Sequence, residues 1–180
     1  MRLVPILLLM LALWLAPFHG GHAEPVATQQ GTVIVFLDPG CPIARFHTGT
    51  LRDCHATFAK LGFRFEGYVA NTSVSKEHVK TFATKFEIPF PVHADTEQKK
   101  ARALDAKMVP EVFVYNSTHK LVYRGRIDDA YVAIGKKRPN ARSHDLKRTL
   151  QELVKGLPIS ISQTKPVGCP ITYRQPKETP

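Results

Sequence analysis

Three cysteines are the residues of this chain with the clearest capacity for chemistry, and Cys41 is the best placed of them. Cys41 follows an apolar, β-branched run over residues 32–37, which predicts a buried strand that ends at the turn Asp38-Pro39-Gly40. Pro42 then stands at a favoured first helical position. A cysteine at a helix N-terminus meets unpaired backbone amides and the positive end of the helix dipole, which favour the thiolate. The thiolate is the attacking species in disulfide exchange and peroxide reduction, so this pattern indicates a redox thiol. The alternative is a small buried residue that fills a turn.

The other two cysteines differ in whether they can reach Cys41. Cys54 lies 13 residues further along the same predicted helix, roughly 20 Å away at about 1.5 Å per residue. A disulfide requires α-carbons within about 7 Å, so Cys54 is predicted to be a core thiol among apolar neighbours. Cys169 stands on a proline-rich tail that is free of this restriction. We expect Cys169 either to form a reversible disulfide with Cys41 or to be an exposed thiol or an intermolecular bridge.

Strands and helices alternate along the rest of the chain. Predicted in order are a strand over residues 32–37, a helix from Pro42 to Gly62, a strand over 63–70, a helix over 75–86 capped by Ser75, a helix from Asp95 or Thr96 to about 107, strands over 111–115 and 121–124, and a helix over 145–155 capped by Ser143. A basic connection spans residues 127–142. Residues 157–180 hold five prolines and are predicted to form an extended arm that lies on the domain or is partly disordered. This order predicts an α/β sandwich, with helices on both faces of a central mixed sheet.

The N-terminus has the pattern of a secretory signal peptide. Arg2 precedes an apolar run over residues 3–16, and Gly21-His22-Ala23 offers a cleavage site. Because a membrane-spanning helix needs about 20 apolar residues, we expect no membrane span after cleavage. The predicted organisation is a signal peptide over 1–23, one domain over 24–156 and the arm over 157–180. Such a protein is exported to the periplasm or the extracellular space, where disulfides persist.

The chain is basic, with 25 Lys and Arg against 15 Asp and Glu. The cations are scattered, apart from one loose cluster at residues 136–138 and 142. No motif that binds the grooves of nucleic acids accompanies them. A solvated surface is therefore predicted, and nucleic acid is not an expected partner. Arg124, Gly125, Arg126, Asp128 and Asp129 are predicted to belong to a solvated loop; the alternative is that they contact the face that carries Cys41.

Three stretches of the chain resemble the thioredoxin-like superfamily, in particular its alkyl hydroperoxide reductase/thiol-specific antioxidant (redoxin) branch. They are VIVFLDPGCPIARF, FPVHADTEQKKARALDAKMVPEVFVYN and HKLVYRGRIDD, which fall within residues 31–156. The resemblance implies a thioredoxin-like three-layer sandwich in which Cys41 is the nucleophile. It also implies that Pro110 is a cis proline facing Cys41, with the Val109 backbone against the sulfur where an extended partner peptide could pair.

The chain departs from the patterns of this superfamily at four positions. Ala44 replaces the second cysteine of the Cys-x-x-Cys motif found in thioredoxin-like reductases. Asp38 stands where peroxiredoxins carry Thr or Ser, and Pro110 stands roughly where their separate Arg would come. Arg45 replaces the second cysteine of the copper-delivery proteins. The histidines show no tight ligand spacing; they include His47, His55, His93, His119 and His144.

These observations predict an exported thiol-dependent oxidoreductase that acts on disulfides or peroxides through Cys41. Pro110 would shape the partner groove, and Cys169 would be the resolving thiol. The expected partner is a protein thiol or disulfide, or a peroxide, and no organic cofactor is implied. One alternative is a non-catalytic binding or copper-delivery module, in which Cys41, Cys169 and a histidine would hold Cu(I). The other is a peroxiredoxin-like peroxidase.

Overall fold

A five-stranded mixed sheet organises the protein in the computed structural model, which describes residues 29–175. The elements are, in chain order, β1 (Gly31–Phe36), α1 (Pro42–Phe58), β2 (Phe63–Val69), α2 (Lys76–Lys85), β3 (Val92–Ala94), α3 (Lys99–Ala103), β4 (Met108–Val109), β5 (Glu111–Asn116), β6 (Leu121–Gly125), β7 (Tyr131–Ala133), β8 (Lys136–Lys137), α4 (Asp145–Val154) and β9 (Cys169–Pro170). The strand order of the main sheet is β3-β2-β1-β5-β6. Strands β1, β2 and β3 are parallel, whereas β5 and β6 are each antiparallel to the preceding strand in that order. The predicted mixed sheet flanked by helices is confirmed. The predicted signal peptide over residues 1–23 lies outside the described residues.

The central strand β1 runs through the middle of the core and ends shortly before Cys41. Val33, Val35, Phe36 and Leu37 are fully buried. Consecutive buried residues are expected of a strand that is covered on both faces. The segment after β1 therefore emerges at the carboxyl edge of the sheet, where open α/β sheets place their sites.

Two helix ends agree with prediction because a single residue fixes each of them. The Ser75 hydroxyl accepts the His78 amide at 3.2 Å and so caps α2. Gly62, with a φ of 89°, ends the short 3-10 turn that follows α1. The predicted cap of α4 is wrong by one residue, since its N-cap is His144 and the Ser143 hydroxyl instead donates to Asp145.

The predicted helix from residue 95 or 96 to 107 is wrong in extent, because α3 has only five residues. Gln98 precedes α3 with a φ of 58°, so helical backbone does not extend back from α3 through this position. Asp95 caps the helix from outside, where its carboxylate accepts the amides of Lys100 and Ala101. Asp105, with a φ of 50°, stands beyond its end.

The segment over residues 127–142 is more ordered than predicted. It contains the β7–β8 hairpin, which turns through Gly135 at a φ of 74°. Asp128 and Asp129 are only 5% and 7% exposed, so the predicted solvated loop is wrong. The reason is that Asp129 accepts the backbone amides of Arg142 and Ser143, at 2.6 and 2.9 Å. The loop therefore folds around the Asp129 carboxylate, which accepts two of its backbone amides.

The arm crosses the domain and is held on both sides of Cys169. Before Cys169, the Thr164 amide donates to the Arg124 carbonyl on β6 at 3.0 Å. At Cys169, β9 pairs antiparallel with β4. After it, the Tyr173 hydroxyl donates to the Ala106 carbonyl at 2.6 Å. These anchors lead the arm past the carboxyl end of β1.

Candidate active site

Cys41 lies between the end of β1 and the start of α1. It is the N-cap of α1, with an extended backbone, and its carbonyl accepts the Arg45 amide at 3.0 Å. Asp38 fixes the turn before it, because the Asp38 carbonyl accepts the Cys41 amide at 3.1 Å and its carboxylate accepts the Gly40 amide at 2.6 Å. Cys41 is only 2% exposed. A substrate therefore reaches this sulfur only when a covering group moves.

Strand β4 covers Cys41 through the Val109 carbonyl. The Val109–Pro110 peptide bond is cis, which confirms the predicted isomer. The Cys41 sulfur lies 3.2 Å from the Val109 oxygen and donates its proton to that oxygen when it is a thiol. Pro110 thus follows directly on the residue whose backbone contacts the sulfur, as predicted.

The arm brings Cys169 onto the same sulfur. The two Sγ atoms of Cys41 and Cys169 are 2.7 Å apart, although 128 residues separate them in the sequence. No other heavy atom fits between sulfurs at that distance. The approach is set by the β4–β9 pairing, in which Cys169 stands opposite Val109. Both cysteines are free thiols in this structure. The structure therefore brings Cys41, Pro110 and Cys169 together.

The sulfurs of this pair are not equivalent. The Cys169 thiol donates a hydrogen bond to Cys41. Burial raises the pKa of Cys169 to about 12, with further contributions from the hydrogen bond to Cys41 and from the charges of Cys41 and Asp38. The Cys169 thiol is therefore protonated at neutral pH. This arrangement suits Cys41 as the attacking sulfur.

Cys54 is buried in the core further along α1, as predicted. Burial raises the pKa of its thiol to about 11. A thiol in this state is a poor nucleophile at neutral pH.

Glycine at position 168 allows β9 to lie this close to β4. A Cβ atom on Gly168 would lie 2.0 Å from the Val109 oxygen and 2.7 Å from the Val109 carbonyl carbon, whereas real Cβ contacts are essentially never under 3.0 Å. Any side chain at this position would therefore push the arm away from β4. The Gly-Cys pair is visible in the sequence, but nothing local to it indicates which backbone it approaches.

Gln98 fastens the end of the arm to the domain. Its buried side-chain amide donates to the carbonyls of Ala70 at 2.9 Å and Thr172 at 2.7 Å, and its oxygen accepts the Arg174 amide at 2.8 Å. Two of these three partners belong to the arm. Because buried polar groups are stable only when hydrogen-bonded, the docked arm and Gln98 depend on each other. Sequence reasoning missed Gln98, since its position was predicted to be part of an ordinary helix.

The model of the AhpC/TSA family matches residues 20–124. The chain belongs to the AhpC/TSA family. The matched range includes Cys41 and Pro110 but ends before Cys169, so the part of the arm that supplies the second thiol lies outside it. No curated protein matches the chain.

Solved structures similar to this AhpC/TSA protein share its fold. An uncharacterized conserved protein from Geobacillus kaustophilus is 28% identical with a TM-score of 0.70, over 84% of this chain and 82% of that one. A hypothetical protein from Sinorhizobium meliloti is 22% identical with a TM-score of 0.73, over 82% of each chain. A secreted disulfide oxidoreductase from Mycobacterium tuberculosis, described as homologous to E. coli DsbE, is 17% identical with a TM-score of 0.51, over 72% of this chain and 84% of that one. The fold of this AhpC/TSA protein is thioredoxin-like.

In this AhpC/TSA protein a buried ion pair supports β4. The Glu111 carboxylate accepts the amides of Lys107 and Met108, at 2.7 and 3.2 Å, and the Arg124 guanidinium at 2.8 Å. Glu111 is almost fully buried, so these donors replace the water that it loses. Arg124 thus braces the backbone that leads into Val109, and its predicted place in a solvated loop is wrong.

A second buried pair joins α1 to the loop after β6. The ring of His47 lies with Nδ1 2.8 Å from the Ile43 carbonyl and Nε2 2.9 Å from the Asp128 carboxylate. Burial opposes ionisation of Asp128, but the hydrogen bond and charge of His47 outweigh it and lower the pKa of that carboxyl. Both ring nitrogens of His47 face oxygen atoms. This contact fixes α1, which begins directly after Cys41.

A cleft of about 410 Å³ opens beside the thiol pair. Its walls include Asp38, Asn71, Val109, Pro170 and Arg174. The Asn71 amide donates to the Asp38 carboxylate at 2.9 Å, so this wall is already structured. Within residues 29–175, no cluster of three or more His, Cys, Asp or Glu side chains could hold a metal ion. None of the helices described here is long and apolar enough to cross a bilayer.

Proposed function

We propose that this AhpC/TSA protein is an exported thiol-disulfide oxidoreductase in which Cys41 attacks the substrate and Cys169 resolves the intermediate. The observation that carries the proposal is the 2.7 Å separation of the two sulfurs. Family membership and the paired thiols support a thiol-dependent redox role. The similarity to a structure described as a secreted disulfide oxidoreductase supports disulfides as the substrate class and export as the location.

The reaction proceeds by two thiol-disulfide exchanges. The Cys41 thiolate attacks one sulfur of the substrate disulfide, the S–S bond breaks, and the other sulfur leaves as a thiolate that takes a proton from solvent. Cys169 then gives up its proton and attacks the Cys41 sulfur, which releases the second substrate thiol and forms the Cys41–Cys169 disulfide. The substrate gains two electrons and two protons, and the cysteine pair loses them. A dithiol partner restores the pair through the same steps in reverse.

The arm has to move during this cycle. Cys41 is covered by Cys169 and by the Val109 carbonyl, so the docked arm leaves no space for a substrate disulfide at the sulfur. The β4–β9 contact comprises only two residue pairs, Met108 with Pro170 and Val109 with Cys169. Because this contact is small, releasing residues 168–170 from β4 requires much less free energy than global unfolding. When the arm redocks, Cys169 returns to the sulfur that now carries the substrate.

A peroxidase is the second candidate, and the family favours it. The Cys41 thiolate would attack a peroxide oxygen and release an alcohol or water, which leaves Cys41 as a sulfenic acid. The Cys169 thiol would condense with that acid to give the same disulfide and water. Asp38 stands where the resemblance implies Thr or Ser, and the hydrogen bonds to Cys41 Sγ within the described residues involve Val109 and Cys169. We therefore favour disulfide substrates.

A copper-delivery module is less well supported. The predicted Cu(I) site joins Cys41 and Cys169 to a histidine, and no histidine joins these thiols in a cluster within the described residues. Cu(I) titration of the reduced protein against a competing chelator tests the copper-delivery hypothesis. Tight binding that requires both cysteines would support it.

Two assays on four proteins test the proposal. We expect the wild type and the matched core variant Cys54→Ala to reduce insulin disulfides, with Cys41→Ser inactive. Cys169→Ser should accumulate a mixed disulfide between Cys41 and the substrate, visible as a mass adduct that dithiothreitol removes. Cys41-dependent peroxide consumption without insulin reduction would establish the peroxidase instead. No Cys41-dependent turnover in either assay would refute the enzyme and leave a binding module.

A further inference from the structure

The β7–β8 hairpin presents apolar side chains to solvent. Val132 is 48% exposed, and Ile134, at 69%, is the most exposed large hydrophobic residue in the described part of the chain. Both stand close to the turn at Gly135. Phe46, on the neighbouring face of α1, is also partly exposed and packs on Tyr131 with ring centroids 5.4 Å apart. The tip therefore carries apolar surface that the fold of the described residues does not use.

The same hairpin is strongly basic. Residues 130–144 contain no Asp or Glu and hold the cluster of Lys136, Lys137, Arg138 and Arg142. Arg138 pairs with Asp129 at 3.3 Å. Lys136, Lys137 and Arg142 make no ion pair within the described residues, and the Lys137 ammonium lies 4.3 Å from the centre of the Phe46 ring. The sequence alone indicates a solvated surface for these cations, but the structure places them around an apolar tip.

A cavity of about 350 Å³ lies beside the base of the hairpin. Apolar side chains line part of its wall, among them Phe46, Phe58 and Ile127. Its charged lining includes Lys137, Arg138, Lys147, Asp53 and Asp128. Asp128 is already paired with His47 and Arg138 with Asp129, which leaves Lys137 and Lys147 against Asp53. The surface next to the tip therefore favours a small anionic group.

We infer that the β7–β8 hairpin docks the protein on an anionic phospholipid surface. Val132 and Ile134 enter the interfacial region of the bilayer, and Lys136, Lys137 and Arg142 meet lipid phosphates. A stable protein partner typically buries about 800 Å² on each side, which is more than a hairpin tip with two apolar side chains offers. A lipid surface needs no matching pocket, so it suits a narrow protruding tip.

This inference is independent of the redox chemistry, but it has a consequence for the thiol pair. Phe46 lies five residues after Cys41 on α1, an axial distance of roughly 7.5 Å. Docking through the hairpin would hold the thiol pair near the bilayer surface. Membrane-attached substrates would then be presented to it at high local concentration.

Co-sedimentation with lipid vesicles tests the inference, using the chain as recovered from the exported fraction. We expect binding to phosphatidylglycerol vesicles at low salt to exceed binding to phosphatidylcholine vesicles by about 100-fold, since each cation near an anionic surface contributes about fivefold. Lys136→Gln/Arg142→Gln should lose about 30-fold on that basis. Ile134→Ser should lose about tenfold, because it removes an apolar side chain from the interface.

Matched variants elsewhere on the surface separate hairpin docking from general attraction. Lys80→Gln/Lys85→Gln removes the same charge from α2, and Leu157→Ser removes an exposed apolar side chain. We expect both controls to bind within about threefold of the wild type. Equal losses in the hairpin and control variants would overturn the inference, as would failure of the wild type to bind anionic vesicles. Competition by an acidic protein, with no effect of vesicles, would assign the hairpin to a protein partner instead.

Discussion

Gly168→Ala is the sharpest perturbation of the thiol pair, because it changes the arm without touching either sulfur. The added Cβ would lie 2.0 Å from the Val109 oxygen, where real contacts begin near 3.0 Å. The arm or β4 must therefore retreat by about 1 Å at this point. Cys169 is the next residue, so the retreat also moves its sulfur away from Cys41.

The size of the effect follows from overpacking and from the small area of the β4–β9 contact. Forcing one methyl group into a packed site typically costs about 1–3 kcal/mol. Two residue pairs hold β9 on β4, so the strain is relieved by undocking the arm rather than by deforming the sheet. The docked population then falls by about 5- to 150-fold, at 1.4 kcal/mol per tenfold. The effective concentration of the Cys169 thiol at Cys41 falls by the same factor.

Equilibration in glutathione redox buffers measures this effective concentration. After acid quenching and alkylation, intact mass gives the fraction that holds the Cys41–Cys169 disulfide at each glutathione ratio. Gly49→Ala is the matched control, because a Cβ at Gly49 meets nothing within 4 Å, and it should stay within about twofold of the wild type. A wild-type effective concentration in Gly168→Ala would show that the β4–β9 contact does not position Cys169.

Three further predictions concern the supports of the site. Gln98→Ala should lower the same effective concentration by about tenfold, because it removes two hydrogen bonds to the arm, and iodoacetamide should alkylate Cys41 faster in this variant. Glu111→Ala should lower the free energy of unfolding in urea by about 3 kcal/mol, since Arg124 and two backbone amides lose a buried carboxylate. Burial opposes ionisation of Asp145, but hydrogen bonds from Arg126, Ser143 and Arg148 outweigh it and keep its pKa below 3.8. The stability that Asp145 contributes is therefore present above pH 3.8 and is lost as the pH falls through its folded pKa, so the acid-induced fall in Tm should be shallower in Asp145→Asn.

Controls for these variants use groups outside the site. Gln151→Ala on the exposed face of α4 should leave the effective concentration unchanged. Glu97→Ala removes an exposed ion pair with Lys99 and should leave the free energy of unfolding almost unchanged. Wild-type behaviour of Gln98→Ala or Glu111→Ala would mean that the arm and β4 are held by other contacts. An acid profile of Asp145→Asn identical to that of the wild type would contradict the stabilising role of its hydrogen bonds.

Local sequence signals predict one half of the site well. The strand, the turn and Pro42 together position Cys41, whereas the position of Pro110 opposite it is implied by the family resemblance. The α/β order follows from the same kind of short-range pattern. The position of Cys41 and the element order can be predicted because each depends on residues that are close in sequence.

The other half depends on contacts between distant segments, which no local pattern encodes. Gln98 matters because Thr172 and Arg174 lie against it, and Gly168 matters because Val109 does. The role of Glu111 could not be predicted for the same reason. In the sequence it is an ordinary strand residue, and only the folded structure places Lys107 and Arg124 around its carboxylate. Apart from the pairing of Cys169 with Cys41, the arm is predicted only as extended chain, so its other contacts with the domain cannot be identified from the sequence.

Placing the second thiol on an arm couples the redox potential of the pair to the docking of that arm. In a Cys-x-x-Cys motif both sulfurs stand on one turn, whereas here Ala44 takes the second place and Cys169 arrives from 128 residues away. For a two-electron couple, a tenfold loss of effective concentration raises the potential by about 30 mV. The 5- to 150-fold loss expected for Gly168→Ala thus predicts a potential about 20–65 mV more oxidising than that of the wild type. Faster alkylation of Cys41 would show that the arm is undocked in this variant. If the redox potential then stayed at the wild-type value, the result would contradict the coupling between potential and docking.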